Sequence, residues 1–91
     1  MITFEDIRSK LKPLRWIDSH NSDGDPIKWA TALRGISIEA YYSEFLKSWF
    51  AECVVVPGLT LVIATKAKDL EEVESKVLDW VAEKIIEGLE Q

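Results

Sequence analysis

Two neighbouring segments alternate apolar and polar residues with a period of two, and this pattern restricts the fold more than any other feature of the chain. The segments span residues 27–33 and 36–42. A period of two is typical of strands that bury one face. Because only Arg34-Gly35 separates the segments, we predict an antiparallel hairpin that reverses there. The recurring positions are Ile27, Trp29, Thr31 and Leu33 in the first segment and Ile36, Ile38, Ala40 and Tyr42 in the second.

Further strands are predicted on both sides of this hairpin. Leu14–Ile17 is predicted as a short strand, and the turn-forming residues of Asp18–Pro26 predict a polar loop after it. Beyond the hairpin, Pro57-Gly58 predicts a turn and Leu59–Ala64 predicts the last strand. We therefore expect an antiparallel meander of four or five strands.

The segment that follows the hairpin fits two different periods. Every fourth residue from Phe45 to Cys53 is apolar, as on a helix, whereas every second residue from Trp49 onward is apolar, as on a strand. The β-branched run Val54–Val56 suits a pleated surface better than a helix. We favour a strand that begins at about Ser48.

A helix is predicted at each end of the chain. Thr3 can cap the first helix with Asp6 at the capping-box position, and Pro13 is expected to end it. The second helix begins after Asp69, which can cap it, and is expected to stop at Gly88. Its apolar stripe at helical spacing comprises Leu70, Val73, Val77, Trp80, Val81 and Ile85.

These elements together predict an α+β fold. We expect a short N-terminal helix, an antiparallel four- or five-stranded meander and a long C-terminal helix packed on one sheet face. A chain of 91 residues has room for one hydrophobic core, so residues 1–91 are predicted to form a single domain.

Composition and charge disfavour several functional classes. Cys53 is the only cysteine, so no internal disulfide can form, which suits a reducing compartment. The N-terminus lacks the order of a signal peptide, and no apolar run approaches the roughly 20 residues that span a bilayer. Net charge is −5, with the acids concentrated between Asp69 and Glu90, which disfavours direct nucleic-acid binding. We expect a soluble cytoplasmic protein with no membrane partner.

Two residues could carry chemistry, His20 and Cys53. His20 lies among carboxylates, but a calcium loop would need a glutamate where Ala30 stands, and a zinc site would need more histidines or cysteines. Cys53 lies in an apolar run, whereas a reactive thiolate needs a cationic setting. We favour a solvated loop and a core cysteine over an ion site or a catalytic pair. We predict no cofactor, no metal and no enzymatic activity.

Four tryptophans are an excess for so short a chain. Trp80 belongs to the helical stripe, and either Trp29 or Trp49 could fill the sheet side of the core. Trp16 is then left over, and two interpretations stay open. It could form an exposed binding patch, since Tyr, Trp and Arg dominate interface energetics, or it could join a second core under the N-terminal helix. The candidate patch comprises Arg15, Trp16, Arg34 and Tyr41.

The long helix also carries a rank of like charges. Asp79, Glu83 and Glu87 repeat at intervals of four, which is mildly destabilising. A negative ridge of this kind could mimic a phosphate backbone and occupy the basic groove of another protein. The alternative is an ordinary solvated helix face.

The order of the aromatic and turn residues resembles that of small phage and prophage proteins with a tryptophan-marked meander followed by an acidic helix. The residues that carry the resemblance are Leu14-Arg15-Trp16, Trp29-Ala30, Tyr41-Tyr42, Trp49, Pro57-Gly58 and Asp69–Val73. By analogy, some small acidic phage proteins inhibit host defence complexes by binding them. The resemblance assigns no site residue.

Three functional hypotheses follow. The first is a protein-binding module that inhibits a host nucleic-acid-handling or defence complex through the acidic helix and exposed aromatic residues. The second is a homo-oligomer built through an edge strand or an aromatic face. The third is a small enzyme or metal-binding protein that uses the His20 loop.

Overall fold

The computed structural model describes residues 2–20, 23–32, 35–56 and 59–89. Within these ranges the chain forms two helices and five strands, and the α+β fold class predicted from the sequence is confirmed. None of the described helices has the length and apolar composition that a membrane crossing requires. The elements are α1 (Phe4–Arg8), β1 (Ile17–His20), β2 (Pro26–Thr31), β3 (Ser37–Ser43), β4 (Ser48–Val56), β5 (Leu59–Ala67) and α2 (Leu70–Leu89).

The five strands form one antiparallel sheet in sequence order, so the predicted meander is confirmed. In the β2–β3 hairpin, Ala32 donates its backbone N–H to the carbonyl of Ile36 at 2.7 Å, and Gly35 has a φ of 75°. Glycine adopts this left-handed conformation without a steric penalty, which allows the tight reversal. Arg34 and the predicted turn at Pro57-Gly58 lie outside the described residues.

Both helix starts use the predicted caps. The Thr3 hydroxyl accepts a hydrogen bond from the Asp6 backbone N–H at 3.2 Å, and the Asp6 carboxylate accepts one from the Thr3 N–H at 2.9 Å. The Thr3 backbone N–H, followed by the Thr3 side chain, stabilises the Asp6 carboxylate and lowers the pKa of Asp6. At the start of α2, the Glu72 N–H donates to the Asp69 carboxylate at 2.8 Å. Each cap satisfies a backbone donor that the first helical turn leaves without an intrahelical partner.

Several predicted boundaries are wrong. The first strand is Ile17–His20 rather than Leu14–Ile17, so part of the predicted Asp18–Pro26 loop is strand. The helix α1 ends at Arg8, well before Pro13, and β5 continues to Ala67. The helix α2 continues to Leu89, and Gly88 does not adopt the positive φ of a glycine C-cap, so it does not end the helix.

Small residues line the sheet face that carries α2. Ala40, Ala51 and Ala64 lie opposite one another across β3, β4 and β5 and are almost completely buried. They contact a cluster that includes Val73 and Val77 of α2. All six residues of the predicted helical stripe belong to this cluster or pack against it, so the stripe is confirmed. The small alanine side chains let the helix lie close to the sheet.

The segment between α1 and β1 covers another part of the same face. Leu11, Leu14 and Trp16 pack against the core cluster without forming regular secondary structure. This packing explains why the first strand starts later than predicted: the apolar residues of this segment bury their side chains on the core and do not pair with β2. In addition, Arg8 donates a hydrogen bond to Asp79 at 2.7 Å, which ties α1 to α2.

Candidate functional site

The sheet face opposite α2 is the candidate functional site, and we call it the open face. It comprises one row across the five strands, Ile17, Trp29, Glu39, Glu52 and Val62, together with Tyr41 and Phe50 in the next row. Side chains alternate between the two faces along each strand, so these residues point away from the alanine-lined side. The described helices lie on that other side, because α2 contributes to the core and α1 packs on α2.

Apolar and aromatic side chains occupy much of the open face. Ile17 and Val62 are 49% and 53% exposed at its two edges. Between them, the rings of Tyr41 and Phe50 stack with their centroids 5.6 Å apart and an interplanar angle of 12°. Trp29, Tyr41 and Phe50 are half-buried by their neighbours within the sheet, and no described helix packs over them. A partner that packs over these rings would bury their remaining surface.

Two carboxylates lie opposite each other in the centre of the open face. Glu39 on β3 pairs in register with Glu52 on β4, and both side chains are half-buried. Like charges in this arrangement destabilise a sheet by roughly 0.2–1 kcal/mol. Tyr41 donates its hydroxyl to Glu52 at 3.2 Å. Burial, followed by the charge and hydrogen bond of Glu52, raises the pKa of Tyr41. The glutamate pair would therefore be stabilised by a cationic group of a partner.

An open pocket of about 720 Å³ lies at the end of the sheet that carries the β1–β2 connection and the β3–β4 turn. We call it the end pocket. Tyr41, Tyr42 and Trp49 are among the residues that line it, with the ring of Tyr41 on the open face and the rings of Tyr42 and Trp49 on the α2 side. Asp18 is ion-paired with Lys28, which lowers the pKa of Asp18. The carboxylates that line the pocket are Asp18, Asp25, Glu39, Glu44 and Glu52. The pocket is therefore both aromatic and acidic.

The patch proposed from the sequence does not assemble as one cluster. Trp16 packs on the core, and its indole Nε1 is buried with no hydrogen-bond partner among the described residues. Tyr41 lies on the opposite side of the sheet, in the open face, and Arg15 is exposed. Of the two interpretations of Trp16, the structure favours core packing, although Trp16 joins the main core and not a second one. Arg34 lies outside the described residues.

The acidic rank on α2 is present but partly neutralised. Asp79 is ion-paired with Arg8 at 2.7 Å, and Glu87 is ion-paired with Lys84 at 3.2 Å. Glu83 is exposed. Because two of the three carboxylates have cationic neighbours, the ridge offers a weaker negative field than its sequence indicates.

His20 and Cys53 are not brought together. Cys53 is buried in β4, three strands away from His20 in β1, which is roughly 14 Å across the sheet, and it is offset by a further four residues, roughly 13 Å, along the strand direction. Burial raises the pKa of the Cys53 thiol, which disfavours a reactive thiolate. No group of three or more potential metal ligands occurs among the described residues.

Several residues of the open face were missed in the sequence. Trp29 and Trp49 were both candidates to fill the sheet side of the core, but Trp49 packs there and Trp29 lies on the open face. Glu39, Phe50 and Glu52 attracted no prediction as site residues. The alternation of the strands could have indicated that they lie on the face opposite the core, because each lies next to a buried residue in its strand.

Comparisons of the chain with models of protein families, with curated proteins and with solved structures found no match. No activity or partner is therefore transferred from a relative. We infer function from the open face and from the chemistry of the residues that it displays.

Proposed function

We propose that the chain is a protein-binding module whose partner docks on the open face. The observation that carries this proposal is a sheet face with no described helix over it, on which aromatic rings surround the glutamate pair. Tyrosine and tryptophan contribute strongly to binding energy when a partner buries them. The rings of Trp29, Tyr41 and Phe50 are already half-buried, so a partner needs to order little side-chain freedom to bury the rest.

The glutamate pair supports a partner that presents a cationic side chain. An arginine guanidinium could donate paired hydrogen bonds to Glu39 or Glu52 and stack on the ring of Tyr41 or Phe50. Its charge would offset the repulsion between the two carboxylates. The same negative charge, together with the net charge of −5, disfavours a nucleic-acid phosphate backbone on this face.

The size of the open face supports a transient complex. Five strands about 4.8 Å apart and four to nine residues long give a flat area of roughly 24 by 23 Å. Projecting side chains make the accessible area larger than this, so the face can supply at most about the 800 Å² per partner of a standard interface. We therefore expect an interface at the small end of the range, as in transient complexes.

The partner class indicated by the resemblance to phage proteins remains a proposal. An inhibitor of a host nucleic-acid-handling or defence complex could bind through the open face, since such complexes present arginine-rich surfaces. It could instead bind through the acidic rank of α2. Within the described part of the chain, Glu83 is the member of that rank without an ion-pair partner, because Asp79 and Glu87 pair with Arg8 and Lys84.

A charge-reversal pair distinguishes these two surfaces. The tagged chain is used to capture partners from a lysate at low salt, alongside Glu39→Lys and Glu83→Lys, and recovered proteins are identified by mass spectrometry. Docking on the open face predicts that Glu39→Lys loses a stoichiometric partner that the wild type and Glu83→Lys retain. The reverse result would move the site to α2. Recovery of no stoichiometric partner by the wild type would reject the protein-binding module itself.

A further inference from the structure

The turn between β3 and β4 displays two large apolar side chains to solvent. It spans Glu44–Lys47, and we call it the hairpin tip. Phe45 is 93% exposed and Leu46 is 55% exposed. A phenylalanine exposed to this degree contributes almost no burial to the fold. Phe45 and Leu46 together form an exposed apolar patch, and such patches mark contact with another molecule.

Local hydrogen bonds fix the conformation of the turn that holds Phe45 in solvent. Leu46 donates its backbone N–H to the Ser43 hydroxyl at 3.1 Å, and the Ser48 hydroxyl donates to the Leu46 carbonyl at 3.1 Å. Lys47 adopts a left-handed φ of 51°, which closes the turn. A tip held in this way loses little conformational entropy when it docks.

A receptor for the hairpin tip exists on the same chain. The end pocket begins beside the tip, at Glu44, and on the open face it is lined by Ile27 and Tyr41 together with Glu39 and Glu52. Glu39 and Glu52 in the pocket complement Lys47, the cation of the tip, while Glu44 at the start of the tip is itself one of the residues that line the pocket. The exposure of Phe45 shows that the chain does not fill the pocket with its own tip.

We propose that this end of the sheet is a self-association site in which two copies exchange their hairpin tips. Phe45 of each copy enters the end pocket of the other, and Lys47 meets the carboxylates there. Tip and pocket lie at the same end of the sheet, so one two-fold axis makes both contacts at once and closes the assembly as a dimer. The acidic pocket beside the tip disfavours the main alternative, insertion of Phe45 into an anionic lipid surface.

The dimer does not depend on the proposed function, because Phe45 lies outside the open face. The two associations do share Glu39, Glu52 and Tyr41, so they compete for this part of the open face. Substitution of Trp29, which lies in the open face but does not line the end pocket, separates them. Trp29→Ser should lose the captured partner and keep the dimer, whereas Phe45→Ser should do the opposite.

Sedimentation velocity over a range of concentrations tests the dimer directly. The wild type should show a concentration-dependent monomer–dimer equilibrium, and Phe45→Ser should weaken it at least about 100-fold, because two buried rings are lost. Ile2→Ser, at another exposed apolar position, serves as the control and should leave the equilibrium unchanged. A wild type that stays monomeric at all concentrations overturns the proposal, and so does dissociation by Ile2→Ser with no effect of Phe45→Ser.

A charge exchange gives a second test that folding defects cannot imitate. Lys47→Glu should be monomeric because its acidic tip meets an acidic pocket. The double variant Glu39→Lys, Glu52→Lys should also be monomeric, because Lys47 of the tip then meets the lysines introduced in the pocket. When the two variants are mixed, both tip–pocket contacts join opposite charges, so a heterodimer should form. Failure of the mixture to associate, with circular dichroism spectra unchanged, would overturn the tip exchange.

Discussion

Two adjacent residues of β4 test whether only one sheet face is covered. The side chain of Ala51 is fully buried beneath α2, whereas Glu52 points to the open face. Ala51→Leu adds three carbon atoms to a packed site and should cost about 1–3 kcal/mol of unfolding free energy. Glu52→Leu removes the like-charge opposition with Glu39, worth about 0.2–1 kcal/mol, and the hydrogen bond from Tyr41, worth about 0.5–1.5 kcal/mol. These two effects nearly cancel, so Glu52→Leu should change stability by less than about 1 kcal/mol.

Equilibrium unfolding in urea, followed by far-ultraviolet circular dichroism, measures both variants. For a slope of about 1–2 kcal/mol per molar urea, a loss of about 2 kcal/mol lowers the midpoint by roughly 1–2 M. The midpoint of Glu52→Leu should stay close to that of the wild type. If Glu52→Leu unfolded as easily as Ala51→Leu, a layer of the protein would have to cover Glu52, and the open face would not exist as described.

Four further results are expected. Ile38→Ala should cost about 2–5 kcal/mol in the same urea assay because Ile38 is fully buried, whereas Ile2→Ala, at an exposed position, should have little effect. Asp79→Asn should cost at most about 1 kcal/mol, and the cost should shrink in high salt, because its ion pair with Arg8 is partly exposed. Cys53 should react with an alkylating reagent slowly in the folded protein and rapidly in urea, because burial shields the thiol and raises its pKa. The pKa of Tyr41 in the folded protein lies above its unfolded value of 10.0. The contribution of Tyr41 to stability is therefore complete below pH 10.0 and is lost as the pH rises through the folded pKa. Tyr41→Phe should consequently lose less stability than the wild type when urea unfolding is measured at increasingly alkaline pH.

Local patterns were sufficient to predict most of the fold. The alternation through residues 27–42 predicts the β2–β3 hairpin, and the run Val54–Val56 correctly favours strand over helix in β4 from Ser48. The caps at Thr3 and Asp69 follow from side chains that reach their own backbone. In each case the signal and the structure lie within a few residues of each other. Such interactions do not depend on the rest of the chain.

The errors share a different cause, which is packing between distant parts of the chain. Trp16 and Leu14 look like strand residues, yet they pack on the core formed by the sheet and α2. The prediction that Trp16 and Tyr41 form one exposed cluster was wrong for the same reason. The sequence does not show which side of the sheet each residue faces. The alternation separates Tyr41 from Tyr42 but does not say which of them lies on the side of α2.

The dimensions of the elements explain why one face stays open. A helix of 20 residues is about 30 Å long and about 10–12 Å wide, enough to cover two or three strands, and α2 contacts β4 and β5. The sheet is roughly 24 Å wide, so the remaining strands on that side need the segment with Leu11, Leu14 and Trp16. Both covering segments are thus used on one side, and the described chain has no further helix for the other. Among the described residues, no segment buries the surface of Trp29, Tyr41 and Phe50 that their neighbours leave exposed, and this is the reason why we propose a partner on this face.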